Sequence, residues 1–271
     1  VDAPPPPGLP PSKSVRAGAD GIIRALGGAG AYDGAHVRQG DKVHDQMYAK
    51  DVHALSGRGL AQRLAQEGAA VALTYVSSAA GALDVVAGIE AAGGRAIAIQ
   101  ADSRDEQAIR AAIRHTLESL GGLDILVNNA GVLAVAPIET FSIEDLDRTL
   151  DVNVRSVVIA SQEAARVMGE GGRIITIGST NAERMPFAGG SVYALSKAAV
   201  AGFTKGLARD LGPRGITVNN VQPGPVDTDM NPDPGDFAES LKQTMALPRY
   251  GKAEEIASFV AYLAGPEAAY I

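Results

Sequence analysis

From Arg58 onward the chain alternates short aliphatic runs with longer segments of helical period, and few folds accommodate that rhythm. Residues 70–76, 95–101, 124–128, 173–177 and 216–221 read as strands. Several are nearly continuous in Ala, Val, Ile and Leu, as strands buried on both faces must be. Between them, 58–68, 83–92, 105–120, 143–168, 193–211 and 254–263 read as helices. Leu60 and Leu64 with Ala61 and Ala65 form one face, closed by Gly68, and Ile109, Ile113 and Leu117 recur at four-residue spacing. Ile256, Val260 and Leu263 give the last helix its core side. Regular strand–helix alternation predicts an α/β fold: a doubly wound parallel sheet of Rossmann type, formed as a single domain. At 271 residues and 46% hydrophobic content, the chain is long and apolar enough to build one such core.

Composition narrows the function. A net charge of −7 without a Lys/Arg run argues against a nucleic-acid or anionic-membrane surface. The absence of cysteine excludes a disulfide framework, a thiol nucleophile and a Cys-ligated metal, and fits a reducing cytoplasm. Four scattered histidines predict no metal site. No apolar run reaches the ~18 residues of a membrane-spanning helix. The N-terminus lacks the basic-then-apolar layout of a signal peptide. Residues 1–12 read as a Pro-rich tail, 13–56 as an atypical segment and 57–271 as the Rossmann-type domain.

The chemistry concentrates in 172–197, GRIITIGSTNAERMPFAGGSVYALSK. A β-branched strand runs into Gly178 and the hydroxyl pair Ser179-Thr180, and a Pro/Gly loop then delivers Tyr193 and Lys197 to a helix. Four residues apart on a helix, the two share a face. A free phenol, with a pKa of about 10, is a poor base at neutral pH, and a neighbouring ammonium would favour its phenolate. Tyr-x-x-x-Lys alone is a common spacing, equally served by a packed Tyr and a solvated Lys.

The surrounding residues add to it. Asp124-Ile125-Leu126-Val127-Asn128-Asn129-Ala130-Gly131, Asp151-Val152-Asn153-Val154, the Ser–Tyr–Lys segment and Pro223-Gly224-Pro225-Val226-Asp227-Thr228 occur in that order. Together they resemble the short-chain dehydrogenase/reductase family, closest to its 3-oxoacyl-carrier-protein-reductase-like members, from about Arg58 onward. The resemblance implies an NAD(P)(H)-dependent oxidoreductase that interconverts a carbonyl and a secondary alcohol. By it, Tyr193 would be the proton donor in reduction and the base in oxidation. Lys197 would lower the Tyr193 pKa and hold the nicotinamide ribose. Ser179 would bind the substrate oxygen, with Thr180 as the alternative hydroxyl, and Asn153 would order a proton-relay water. Gly57, Asp102, Ser103, Asn129, Ala130, Gly131, Pro223, Gly224, Val226 and Thr228 would join Tyr193 and Lys197 around the cofactor. Residues 229–248 would cover the substrate, and the family implies a homo-oligomer, tetramer or dimer. Thr74-Tyr75-Val76-Ser77-Ser78 carries no acid where one would select NAD, so NADP is expected, with NAD possible.

The first fifth departs from the pattern. Counting back from the helix ending at Gly68 places the third glycine of a phosphate-binding turn at Gly57. The same count puts Lys50, Asp51 and Leu55 where Thr and the other glycines belong, and a polar stretch near 44–49 at the central strand. Three accounts stand. The strand and turn lie instead at 21–34, with Gly27, Gly28, Gly30 and Gly34 on the phosphates. Alternatively the region has diverged, leaving a non-catalytic or cofactor-impaired Rossmann protein. Or residues before about Ser56 are foreign to the domain.

Overall fold

The computed structural model describes residues 23–28, 47–48 and 55–271. Its elements follow in the order β1 (Ile23–Gly28), β2 (Met47–Tyr48), α1 (Leu55–Gln66), β3 (Ala69–Tyr75), α2 (Ala79–Ala91), β4 (Arg95–Gln100) and α3 (Glu106–Leu120). β5 (Ile125–Asn128), β6 (Ala134–Val135), α4 (Ile143–Leu150), α5 (Ser156–Val167), β7 (Arg173–Ile177) and α6 (Ser191–Leu211) come next. β8 (Thr217–Val221), α7 (Asp236–Lys242) and α8 (Ala253–Ala264) complete the chain.

Two parallel ladders, β1-β3-β4 and β5-β7-β8, make the sheet. β1 also packs against β5. The spatial order is therefore β4-β3-β1-β5-β7-β8, with the chain reversing direction of travel at the β1/β5 junction, the point at which doubly wound sheets hold ligands. The central strand is Ile23–Gly28, in register from Ile23 opposite Ala69 to Gly28 opposite Thr74. This brings residues ahead of position 57 into the sheet. The segment that counting assigns to the strand instead contributes Met47–Tyr48, antiparallel to Ala134–Val135. The tail at 1–12, Gly30, Gly34, Lys50 and Asp51 lie outside the described residues.

Alternation along each strand divides the core into two layers. Ala69, Val71 and Leu73 of β3, with Ile125, Val127 and Ile175, pack beside residues of α1, α2 and α8. Ala70 and Ala72, with Leu126, Ile174 and Val218, face residues of α3, α5 and α6. Helix ends follow local chemistry. Gly68 closes α1 at φ +93°, a conformation open to glycine. Asp105 caps α3 by accepting from the Gln107 and Ala108 amides. The helical stretch 143–168 is interrupted. A five-residue π-turn, Asp151–Arg155, separates α4 from α5 and carries Asn153.

On the second layer a polar row crosses the sheet just below its C-terminal edge. Asn128 is opposite Thr176, and Thr176 is opposite Asn220. The Asn128 amide donates to the Thr176 and Ser161 hydroxyls, each at 3.3 Å. Both amide atoms of Asn220 are buried without a partner among the described residues. The amide is pressed onto Gly178, where a Cβ would sit 2.5 Å from Oδ1 and 2.9 Å from Nδ2. Gly178→Ala is therefore expected to cost about 1–3 kcal/mol of stability. Adding Asn220→Ala should return most of that loss in urea unfolding, because the two sites share one contact. Equal loss in both backgrounds would contradict this packing.

Candidate active site

β7 ends at Ile177, and the chain then passes through Gly178 to Ser179. Ser179 is buried and starts a 3-10 turn, its hydroxyl accepting from the Asn181 amide at 3.1 Å. The same hydroxyl acts on the Tyr193 phenol, opposing the rise of its pKa. Thr180 is exposed, and its amide donates to the Pro223 carbonyl at 3.0 Å. Of the two candidate hydroxyls, then, Ser179 is the one on the tyrosine.

Tyr193 lies in the first turn of α6 and Lys197 one turn later, as their spacing requires. Lys197 is buried, and its ammonium donates to the Ile177 carbonyl at 2.9 Å while standing 5.7 Å from the Tyr193 ring centroid. A second anchor comes from the π-turn. The Asn153 amide nitrogen donates to the Val132 carbonyl at 2.9 Å and to the Ser196 hydroxyl at 3.0 Å. Its oxygen accepts from the Val132 amide at 2.8 Å. Ser196 in turn donates to the Tyr193 carbonyl at 2.7 Å. Asn153 thus joins the 131–132 segment to the first turn of α6, and both its N–H donors are committed to the protein. Ser196, Val132 and the Ile177 carbonyl escaped the sequence reading, because backbone partners and a lone serine leave no pattern to find. Between these anchors is Gly131, where an added Cβ would lie 3.6 Å from both the Asn153 oxygen and the Lys197 nitrogen.

Burial pushes the Tyr193 phenol up, and the Ser179 hydrogen bond opposes that shift. Lys197 sits on the Ile177 carbonyl and over the ring. Burial lowers Lys197 itself to about 8.

The other half of the site is a cleft open to solvent, lined from the C-terminal ends of β3, β4 and β5. Thr74, Ala101, Ser103, Asn129 and Ala130 line it, with Ser156 and Val157 of α5 opposite. Asp102 follows β4, held by Arg104 through a 2.9 Å ion pair and the Arg104 amide. Burial raises its pKa, but the Arg104 hydrogen bonds and charge outweigh this and hold the carboxyl below its usual value. On the far side, the Pro223–Thr228 loop is stitched to Gly251. The Gly251 amide donates to the Pro225 carbonyl, and the Asp227 amide to the Gly251 carbonyl, each at 2.9 Å. Val226 bridges Gly251, and Thr228 pairs with Asn231. Gly57 is buried in the first turn of α1. No group of His, Cys, Asp and Glu able to hold a metal occurs among the described residues.

Known proteins resemble this chain in sequence and fold. The family model described as "Enoyl-(Acyl carrier protein) reductase" matches residues 56–271. The cyclic-di-GMP-binding biofilm dispersal mediator protein of Escherichia coli is 45% identical over 215 residues, covering 79% of this chain and 87% of that one. The 3-oxoacyl-[acyl-carrier-protein] reductase of a Synechocystis strain is 38% identical over 218 residues, covering 79% and 87%. Among solved structures, a short-chain dehydrogenase/reductase from Serratia marcescens is 55% identical, with 93% of each chain covered and a TM-score of 0.81. A short chain dehydrogenase from Burkholderia cenocepacia in complex with NADP is 51% identical, covering 92% of this chain and 93% of that one, also with a TM-score of 0.81.

The buried Lys197 carries a pH signature. Its pKa is lowered in the folded chain, from 10.5 to about 8. Between those values the unfolded chain binds the more protons, so stability contributed at this position rises with pH. Relative to Lys197→Met, the wild type is expected to gain about 3 kcal/mol between pH 8 and 10.5. Denaturant midpoints measured across that window check it, and a constant difference would contradict it.

Proposed function

The chain belongs to the short-chain dehydrogenase/reductase family of NAD(P)-dependent oxidoreductases, and from that premise we propose that it is an NADP-preferring reductase. It interconverts a carbonyl and a secondary alcohol. The observation that carries this reading is the buried Lys197 ammonium held on the Ile177 carbonyl at 2.9 Å and over the Tyr193 ring, on the strand end that carries Ser179.

The residues present fit a nicotinamide dinucleotide. Gly131 leaves open a space that a Cβ would narrow beside Asn153 and Lys197. Lys197 spends one of its three donors on Ile177, which leaves two for a ribose diol. The cleft at the switch point offers Ser103, Asn129 and Ala130, with Asp102 at its edge, to the adenosine half. The end of β3, Thr74 to Ser78, carries hydroxyls and no carboxylate, which favours NADP, and two solved relatives were crystallised with NADP or NADPH. Val226, Thr228, Pro223 and Gly224 would hold the carboxamide and phosphate side.

When bound, NADPH would supply the hydride for the carbonyl carbon. The C=O π pair moves onto oxygen as Tyr193 gives that oxygen its proton, and the phenol is later reprotonated from solvent. Ser179 donates to the same oxygen and polarises it. A raised phenol pKa keeps Tyr193 protonated and ready to donate in the reduction direction. Lys197 presents positive charge beneath the developing alcohol. Asn153 acts as a positioning residue, fixing Ser196 and the backbone at Tyr193.

Further parts of the proposal concern the setting. Among the described residues no helix is long and apolar enough to cross a membrane, and the cysteine-free composition suits the cytoplasm. A homo-oligomer, dimer or tetramer, is supported by the exposed, stacked Phe259 and Tyr262 of α8.

The test is Tyr193→Phe. NADPH-dependent reduction should fall by about 10²–10⁴-fold, the contribution of a positioned proton donor. NADPH affinity, followed by fluorescence enhancement, should stay near the wild-type value. Retained turnover would overturn the assignment of Tyr193, and no NADPH binding by the wild type would overturn the reductase reading.

A further inference from the structure

Three segments meet at the N-terminus of α6, and the side chains they bring there are apolar. Gly190 caps α6 three residues before Tyr193, and the Met185 side chain and Phe187 ring lie directly on it. A Cβ at position 190 would collide with Met185 and come within 3.2 Å of Phe187. On one side, Gly189 lies against Val135 and Ala136, accepting from the Ala136 amide at 3.1 Å. On the other, Phe187 meets Phe237 edge to face, with centroids 5.3 Å apart and ring planes at 75°. Both rings and Met245 pack on the buried Ala238, Leu241 and Tyr250. An aromatic clasp thus joins the loop ahead of Tyr193 to the α7 segment.

The charge around this clasp has one sign. From Pro223 to Gly251 the chain carries Asp227, Asp229, Asp233, Asp236 and Glu239 against only Lys242 and Arg249. Neither cation is directed at an incoming anion. Lys242 is bound to Asp233 at 2.6 Å and Glu239 at 2.7 Å, and Arg249 to Glu255 at 2.8 Å. Asp227, Asp229, Asp236 and Glu239 are exposed. The adjoining loop adds Glu183 and Arg184, which cancel.

We infer that this site takes a free, uncharged and largely apolar ketone or aldehyde, received against the apolar surface that Met185, Phe187 and Phe237 build ahead of Tyr193, and excludes anionic carbonyl compounds and acyl groups carried on an acidic protein. The inference rests on the reductase reading and deepens it. Two physical effects point the same way. A carboxylate lying against the apolar clasp would lose its hydration, and the cations of this segment, Lys242 and Arg249, are already paired with acids. An acidic carrier would approach an acidic rim, where like charges slow encounter and cost affinity. The reductase names attached to the family model and to the Synechocystis relative therefore describe a carrier-bound substrate that this rim disfavours.

The experiment compares matched substrates with NADPH and the full chain. Acetophenone is set against its para-carboxylate, and a neutral truncated 3-oxoacyl thioester against the same acyl group on an acidic carrier protein. The neutral member of each pair is expected to have the higher kcat/KM by about tenfold or more, the range one misfit in an apolar pocket produces. Added salt should raise the rate with the anions and leave the neutral compounds unmoved, since only the former feel the rim. Phe187→Ala and Phe237→Ala should raise KM for acetophenone more than they lower kcat, with NADPH affinity unchanged, and Phe187→Leu should recover most of the loss. Equal or better turnover of the charged members, or an unchanged KM in Phe187→Ala, would overturn the inference while leaving the reductase reading intact. Failure to reduce any carbonyl while NADPH still binds would instead overturn the reductase reading, and this inference with it.

Discussion

One hydrogen bond holds the site together: the Lys197 ammonium on the Ile177 carbonyl. It ties the last residue of β7 to the second turn of α6, and so fixes where Ser179 and Tyr193 stand relative to each other. A strand end and a helix face reached by separate stretches of chain become one surface through it. The cost is a buried cation, and the low-dielectric setting drives Lys197 down to about 8. Burying an ammonium against a neutral carbonyl stabilises the fold less than a filled apolar contact of the same volume would. Its value in the proposed reaction lies in chemistry, since a cation with two unspent donors sits beside the Tyr193 phenol.

The Asn153 clamp provides the second constraint. An α-helix running unbroken from 143 to 168 would continue one regular side-chain progression along its length. The π-turn over Asp151–Arg155 interrupts it, and the Asn153 amide is exchanged in both directions with Val132. Ser196 passes that constraint to the Tyr193 backbone. Polar groups buried this deeply need their partners, and here the partners are the segments that must not drift. Gly131 and Gly178 belong to the same economy of space, one beside Lys197 and the other under the Asn220 amide.

Much of this was legible in sequence because it depends on period and order. Arg173–Ile177 announced itself as a β-branched run, and the Tyr193–Lys197 spacing placed both residues on one helix face. Leu60, Leu64, Val260 and Leu263 lie in the core their spacing predicted. What failed did so for identifiable reasons. Counting back from Gly68 assumed a short connection between the first strand and α1, whereas residues 29–54 separate Ile23–Gly28 from Leu55. The glycine turn expected at 27–34 lies largely outside the described residues. The π-turn has no period of its own and hides within a helical pattern. The net rise of the phenol's pKa comes from burial, which adjacency on a helix face does not report.

The most direct test of the central claim is the pH dependence of kcat/KM for NADPH in the reduction direction, which reports the free enzyme's groups. Lys197 loses its charge as pH rises through about 8, while Tyr193 stays protonated well beyond. The profile should therefore fall above about pH 8, and Lys197→Arg, whose guanidinium keeps its proton, should abolish that limb. A wild-type profile level to pH 10, or the same limb in Lys197→Arg, would contradict the account.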